Sequence, residues 1–76
     1  MSEVEQSFEA QRLKIIQYME QNYKENKDVI WAYENIPNPP YKFAASDISN
    51  ILNGNRPYTK SVKWLIGFLI KYWDIN

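Results

Sequence analysis

The side chains of this sequence that could take part in chemistry are carboxylates, amines and hydroxyls, because histidine and cysteine are both absent. Without histidine the chain lacks the usual general base and the commonest metal ligand. Without cysteine it has neither a thiol nucleophile nor a disulfide. A chain of 76 residues also forms a core too small to enclose a deep pocket. The composition therefore predicts a binding protein rather than an enzyme, with no cofactor, metal ion or small-molecule substrate.

The charged residues are divided unevenly along the chain, although the net charge is zero. Residues 1–41 carry a net charge of −3, from seven acids and four bases, and residues 42–76 carry +3, from five bases and two acids. One face could therefore approach phosphate groups while the other repels them. Ordinary scatter of surface charge is the alternative explanation.

The sequence shows neither a targeting signal nor a membrane segment. The N-terminus, MSEVEQSFEAQ, is acidic and polar, unlike a secretory signal. The longest apolar run is well short of the ~20 residues that a membrane span requires. We therefore expect a single cytoplasmic domain over residues 1–76.

The elements that position these side chains are predicted to be helices, four or five in number, packed as a compact all-α domain. In the first, apolar residues follow helical spacing on one stripe, with Ser7 as a candidate N-cap. Arg12 falls within this stripe, as expected of a residue at the core edge whose head pairs with an acid. The stripe consists of Val4, Phe8, Ile15, Ile16, Met19 and Tyr23.

The segment DVIWAYENIP, residues 28–37, fits either a helix or a strand. Its β-branched and aromatic residues suit a strand, but Asp28 is a good helix N-cap and Pro37 a good terminator, which favours a short second helix. The following IPNPPYKF cannot be helical inside, because its prolines force an extended connection.

A third helix is predicted near FAASDISNILNG. Ser46 is a candidate N-cap, with Ala44 and Ala45 able to extend the start, and Ile48, Ile51 and Leu52 form an apolar edge. Gly54 suits the left-handed conformation that ends a helix. A β-hairpin turn at Asn53-Gly54 is the alternative, but the flanks do not alternate and Pro57 would block the next strand.

The fourth helix, from a cap at Thr59 to about Trp73, is apolar around more of its circumference than one core-facing side requires. Its core stripe is predicted to be Val62, Leu65, Ile66, Leu69, Ile70 and Trp73. A second apolar strip beside it, at i, i+4 and i+8, comprises Trp64, Phe68 and Tyr72. Only Lys60, Lys63, Gly67 and Lys71 are left to face water.

The stretch SDISNILNGNRPYTKSVKWLIGFLIKYW resembles the lambda-repressor-like (repressor/Cro) helix-turn-helix family. The recognition helix of that family often reads ISxxLNGxR and is followed by a polar turn and an aliphatic helix, and RLKIIQYMEQN is similar to its first helix. The chain departs from the family at NIPNPPYKF, which replaces the usual tight turn with a longer loop, as in some small phage repressors and their modulators. A winged helix is the second-ranked alternative, because the sequence ends at Asn76 before a wing hairpin.

The resemblance implies that the helix near residues 45–53 enters the major groove of DNA. Asparagine can contact adenine through two hydrogen bonds, and Asp47 could accept one from cytosine. The alternative is that Ser46 and Asp47 only cap the helix and that the asparagines are turn residues. The implied base-facing residues are Ser46, Asp47, Ser49, Asn50 and Asn53, and the implied phosphate-facing residues are Asn55, Arg56, Tyr58 and Lys60.

Two functions follow from these patterns. The first is a transcriptional regulator, such as a repressor, that binds operator DNA as a dimer, since one short helix reads few bases. The second is an antirepressor or modulator that uses the same fold to bind another regulatory protein. Zero net charge favours the second function, as does the strip of Trp64, Phe68 and Tyr72, because tryptophan and tyrosine are enriched at interface hot spots. The alternative is that Trp64 and Phe68 only cover the first helix as part of the core.

Overall fold

The computed structural model describes residues 3–75, with the side chains from Ser7 to Ile75. Within this range the chain is all-helical. Its helices are α1 (Glu3–Gln21), α2 (Asn26–Glu34), α3 (Ala45–Leu52) and α4 (Lys60–Tyr72). The segment predicted as helix or strand is therefore helix, and the four-helix, all-α prediction is confirmed. Val4 of the predicted stripe lies outside the described side chains.

One apolar cluster forms the core, and every helix contributes to it. The most completely buried residues are Ile15 of α1, Val29 of α2, Ile48 of α3 and Leu65 and Leu69 of α4. Helix α1 packs against α4, and α2 packs against α3. The predicted core stripe of α4 is buried at Val62, Leu65, Ile66 and Leu69, and partly buried at Ile70 and Trp73.

Three predicted N-caps are wrong. Helix α1 begins at Glu3, so Ser7 lies inside it, because residues 3–6 contain no helix breaker. Helix α2 is capped at Glu25, and α3 at Ala44. In both helices an aspartate three positions after the cap accepts the cap's backbone N–H, from Glu25 to Asp28 at 2.7 Å and from Ala44 to Asp47 at 2.9 Å. Asp28 and Ser46 are therefore in the first turn rather than at the cap.

Helices α1, α3 and α4 end with the same backbone geometry. Tyr23, Gly54 and Asp74 follow α1, α3 and α4 with φ angles of 57°, 78° and 52°. The next residue's N–H then reaches back into the last turn, as Asn55 does to the Asn50 carbonyl at 2.9 Å. The predicted cap at Gly54 is confirmed. Tyr23, by contrast, is 92% exposed and does not belong to the apolar stripe, because α1 ends before it.

The connection between α2 and α3, residues 35–44, is held by Tyr33. Its hydroxyl donates to the Tyr41 carbonyl at 2.5 Å and accepts the Phe43 N–H at 3.0 Å. Phe43 in turn stacks on Trp64 of α4, with ring centroids 6.3 Å apart. These contacts fix the extended segment directly before α3 against two helices.

Candidate functional site

Helix α3 is anchored by one face and polar on the other. Ile48, Ile51 and Leu52 are buried in the core. Ser46 and Asn53 are exposed, and Ser49 and Asn50 are half-buried on the outward side. An eight-residue helix held in this way presents its hydroxyl and amide groups at a fixed orientation. These groups are suited to hydrogen bonding with base edges.

Asp47 is already engaged within the chain. One carboxylate oxygen caps α3 through the Ala44 N–H, and the other is 3.0 Å from the guanidinium of Arg56. The side chains of Arg56 and Asp47 remain 44% and 35% exposed. The two predicted DNA-contacting residues thus form a surface ion pair in which Arg56 balances the negative charge of Asp47.

Ser49, another predicted contact, also has a partner in the chain. Its hydroxyl accepts a hydrogen bond from the side-chain amide of Asn26, at 3.2 Å, so the start of α2 lies beside the outward face of α3. Asn26 is exposed and adds a further amide to this surface. Asn26 could not be predicted as part of this surface, because nothing in the spacing indicates that the two helices meet there.

The α3 cleft, defined by Lys42, Asp47, Arg56, Thr59 and Ser61, lies between the N-terminal ends of α3 and α4. It has a volume of about 230 Å³ and a floor that includes Phe43, Ile51 and Val62. The cleft brings together two predicted DNA-contacting residues and adds Lys42, which was not among the predicted contacts. Lys42 lies three residues before α3, so a search extended to the residues preceding the helix could have found it.

The Arg12 junction joins α1 to the end of α3 and consists of Glu9, Arg12, Leu52 and Tyr58. The Arg12 guanidinium donates to the Leu52 carbonyl at 2.8 Å and to Glu9 at 2.5 Å, and the Tyr58 hydroxyl donates to the other oxygen of Glu9. The Leu52 carbonyl belongs to the last turn of α3, where intrahelical partners run out. The expected pairing of Arg12 with an acid is confirmed.

These contacts shift the pKa values of the Arg12 junction. The hydrogen bond from Arg12, followed by that from Tyr58, holds the pKa of Glu9 below its usual value. The hydrogen bond to Glu9 raises the pKa of Arg12. Burial, assisted by the same carboxylate, raises the pKa of Tyr58. Because its hydroxyl is bonded to Glu9 of α1, Tyr58 differs from the outward-facing polar groups of α3.

Gly54 allows the Arg12 junction to close. Its φ of 78° is a left-handed conformation that strains any residue with a Cβ. A methyl group built on Gly54 would stand 3.0 Å from the guanidinium carbon of Arg12. Gly54 thus both ends α3 and leaves space for the side chain that bonds to its final turn.

The strip of Trp64, Phe68 and Tyr72 is only partly free. Trp64 is half-buried, stacking on Phe43 and, with centroids 5.6 Å apart and planes 8° apart, on Phe68. Phe68 is half-buried as well, and its ring lies 5.5 Å from that of Tyr72, which is 47% exposed. Part of the aromatic surplus therefore holds residues 41–43 in place, and the remainder faces outward.

The α4 groove, defined by Lys63, Trp64, Gly67, Phe68, Lys71 and Tyr72, lies along this outward surface. Its volume is about 480 Å³. A methyl group built on Gly67 would meet no atom within 4 Å, so the groove is open at its midpoint. Lys63 and Lys71 border it, and the ammonium of Lys63 is also 5.5 Å from the ring centroid of Phe8.

Comparison of the chain with protein-family models, characterised proteins and solved structures gives no match. The resemblance to repressor/Cro proteins therefore rests on the residues alone. Within residues 3–75, no helix is long and apolar enough to cross a membrane. The same part of the chain contains no group of acidic side chains arranged to hold a metal ion.

Proposed function

We propose that this protein is a small transcriptional regulator that binds double-stranded DNA through the outward face of α3 and the adjoining α3 cleft. The observation that supports this most directly is the arrangement of the cleft. Lys42 and Arg56 lie together at the N-terminal end of the helix whose outward face carries Ser46 and Asn50, and whose C-cap is Asn53. Cations beside an anchored polar helix provide phosphate contacts for positioning and polar groups for base reading.

The electrostatics of the cleft favour phosphate despite the presence of Asp47. Arg56 neutralises that carboxylate at 3.0 Å, which leaves Lys42 as an additional positive charge. The hydroxyls of Thr59 and Ser61 line the same cleft and can donate to phosphate oxygens. Because the cations are few, we expect each copy of the chain to bind with modest affinity and a shallow dependence on salt, so that useful affinity requires a second copy.

A salt-dependent titration tests this proposal. The fluorescence anisotropy of a labelled duplex should rise with protein concentration. The logarithm of the association constant should fall linearly with the logarithm of salt concentration, with a slope set by the number of phosphates contacted. Arg56→Ala and Lys42→Ala should each reduce that slope by about one. Asn50→Ala should instead reduce the difference in affinity between preferred and random DNA sequences.

Lys24→Ala is the matched control, because Lys24 is an exposed lysine beyond the end of α1, outside the proposed surface. It should leave both the slope and the affinity within error. Equal losses from Lys24→Ala and Arg56→Ala, or no binding to a random duplex library at low salt, would contradict DNA binding through α3.

The α4 groove favours a second candidate function, which is regulation through another protein. The groove carries aromatic surface that stays partly exposed although Trp64 and Phe68 also pack against the core, and tryptophan and tyrosine are enriched among interface hot spots. A modulator of this kind would use α4 for its partner and leave α3 free. The two functions are compatible, because the α4 groove and the α3 cleft share no residues.

A further inference from the structure

We propose that the α4 groove docks an acidic amphipathic helix of a partner protein. This inference rests on the second candidate function and names the chemistry of the occupant. The floor of the groove is apolar, from Trp64 and Phe68, and lysines border it at Lys63 and Lys71. A helix with one apolar stripe flanked by glutamate or aspartate complements both features.

The shape of the groove suits a helix. The groove follows α4 from Lys63 to Tyr72, about 14 Å along the helix, which matches two to three turns of a partner lying alongside it. Gly67 lies near the midpoint and leaves an open space where a side chain would otherwise stand. A large apolar side chain of the partner can enter this space and contact Phe68 and Trp64.

The charge distribution selects an acidic partner. Lys60, Lys63 and Lys71 are all on α4, and no acidic residue occurs between positions 60 and 72. A second copy of α4 is a poor occupant for the same reason. Packed antiparallel across Gly67, Lys63 of one copy would face Lys71 of the other, and packed parallel, each lysine would face its own counterpart.

The aromatic geometry disfavours a single-stranded nucleic acid. Bases bind by stacking on exposed ring faces. Here Trp64 is already stacked on Phe43 and on Phe68, with centroids 6.3 and 5.6 Å away. A ring that is stacked on two neighbours offers little free face to a base, whereas aliphatic side chains can pack on it from any side.

Two designed peptides of equal helicity test the proposal against the full chain. Both carry leucine at i, i+3, i+4 and i+7; one is flanked by glutamate, and the other by lysine. Anisotropy of the labelled peptides should show at least about tenfold tighter binding of the glutamate peptide. Gly67→Gln, which fills the open space, and Lys71→Glu, which reverses a charge at the border, should each weaken that binding by about tenfold or more.

Trp31→Ser is the matched control, because Trp31 is 62% exposed on α2 and lies outside the groove. It should leave binding of the glutamate peptide unchanged. Gly67→Gln should keep its helical circular dichroism, since glutamine is a better helix former than glycine. Lys71→Glu changes an exposed residue and provides an independent readout if Gly67→Gln alters the fold.

The failures are distinguishable. Equal binding of the two peptides, weakened alike by Gly67→Gln, would overturn the acidic chemistry but retain protein docking through α4. No binding of either peptide up to about 1 mM would overturn both the acidic chemistry of the partner and protein docking through α4. A dimer in light scattering that Gly67→Gln converts to monomer would assign the groove to a second copy. Binding to anionic phospholipid vesicles that requires Gly67 would assign it to a membrane surface.

Discussion

The two arginines of this chain occupy opposite kinds of environment. Arg12 has a side chain that is 12% exposed and bonds to a carboxylate on its own helix and to a backbone carbonyl 40 positions away. Arg56 is 44% exposed and bonds to Asp47 alone among the described residues. Arg12 therefore connects two helices, whereas Arg56 lies on the surface and can exchange its partner for a ligand.

The difference shows how burial determines what a guanidinium does. Removing Arg12 would strand a helix-end carbonyl that water cannot easily reach, and it would leave Glu9 without its cation. Removing Arg56 would return Asp47 to water while its bond to the Ala44 N–H remains. An exposed ion pair contributes little to stability, because solvent screens it and both side chains lose rotamer freedom. Arg56 is thus the arginine that is available for recognition.

Replacing Arg12 with alanine should have the largest effect on stability. We expect the free energy of unfolding to fall by about 2–3 kcal/mol, because the Leu52 carbonyl loses its donor in a partly buried setting. Urea denaturation followed by circular dichroism measures this loss. Arg12→Lys, which keeps the charge but cannot serve both acceptors, should recover only part of it. A loss below about 0.5 kcal/mol would mean that water replaces the guanidinium.

The dependence of stability on pH tests how the charge of Glu9 contributes to the Arg12 junction. The pKa of Glu9 is lower in the folded state than its usual value of 4.5, so the unfolded chain binds a proton more readily. The stabilisation from Glu9 is complete above that usual value and is lost as pH falls through the lowered one. Wild-type protein should therefore lose more stability than Glu9→Gln between about pH 6 and about pH 3. Parallel stability curves for the two proteins would show that Glu9 contributes nothing through its charge.

Local patterns predicted most of the helices but not the contacts between them. The spans of α3 and α4, the cap at Thr59 and the turn at Gly54 follow from residues within one turn of each end. The N-caps at Glu25 and Ala44 could not be predicted from cap preference, because an aspartate three positions later supplies the bond instead. The third position of a capping box was the usable signal.

The candidate sites show the same division between local and long-range information. That α3 is polar outward could be predicted from its apolar spacing. The ion pair of Asp47 with Arg56 and the stacking of Phe43 on Trp64 depend on how the chain returns after a turn or a proline-containing connection. Such contacts are set by tertiary packing, which one sequence does not encode as a visible period. The contact by which Trp64 also holds the residues before α3 is therefore not predictable from the spacing of the strip on α4.

Replacing Arg56 with alanine should have the smallest effect on stability, in contrast to replacing Arg12. We expect a change of about 0.5 kcal/mol or less, because its ion pair is exposed and Asp47 keeps its capping bond. Asp47→Ala is the matched control and should cost about 1 kcal/mol, since it removes the bond to the Ala44 N–H as well. Chemical denaturation of both variants measures the difference. If Arg56→Ala destabilised the protein as much as Arg12→Ala, Arg56 would be a structural residue, and its assignment to DNA binding would lose its physical basis.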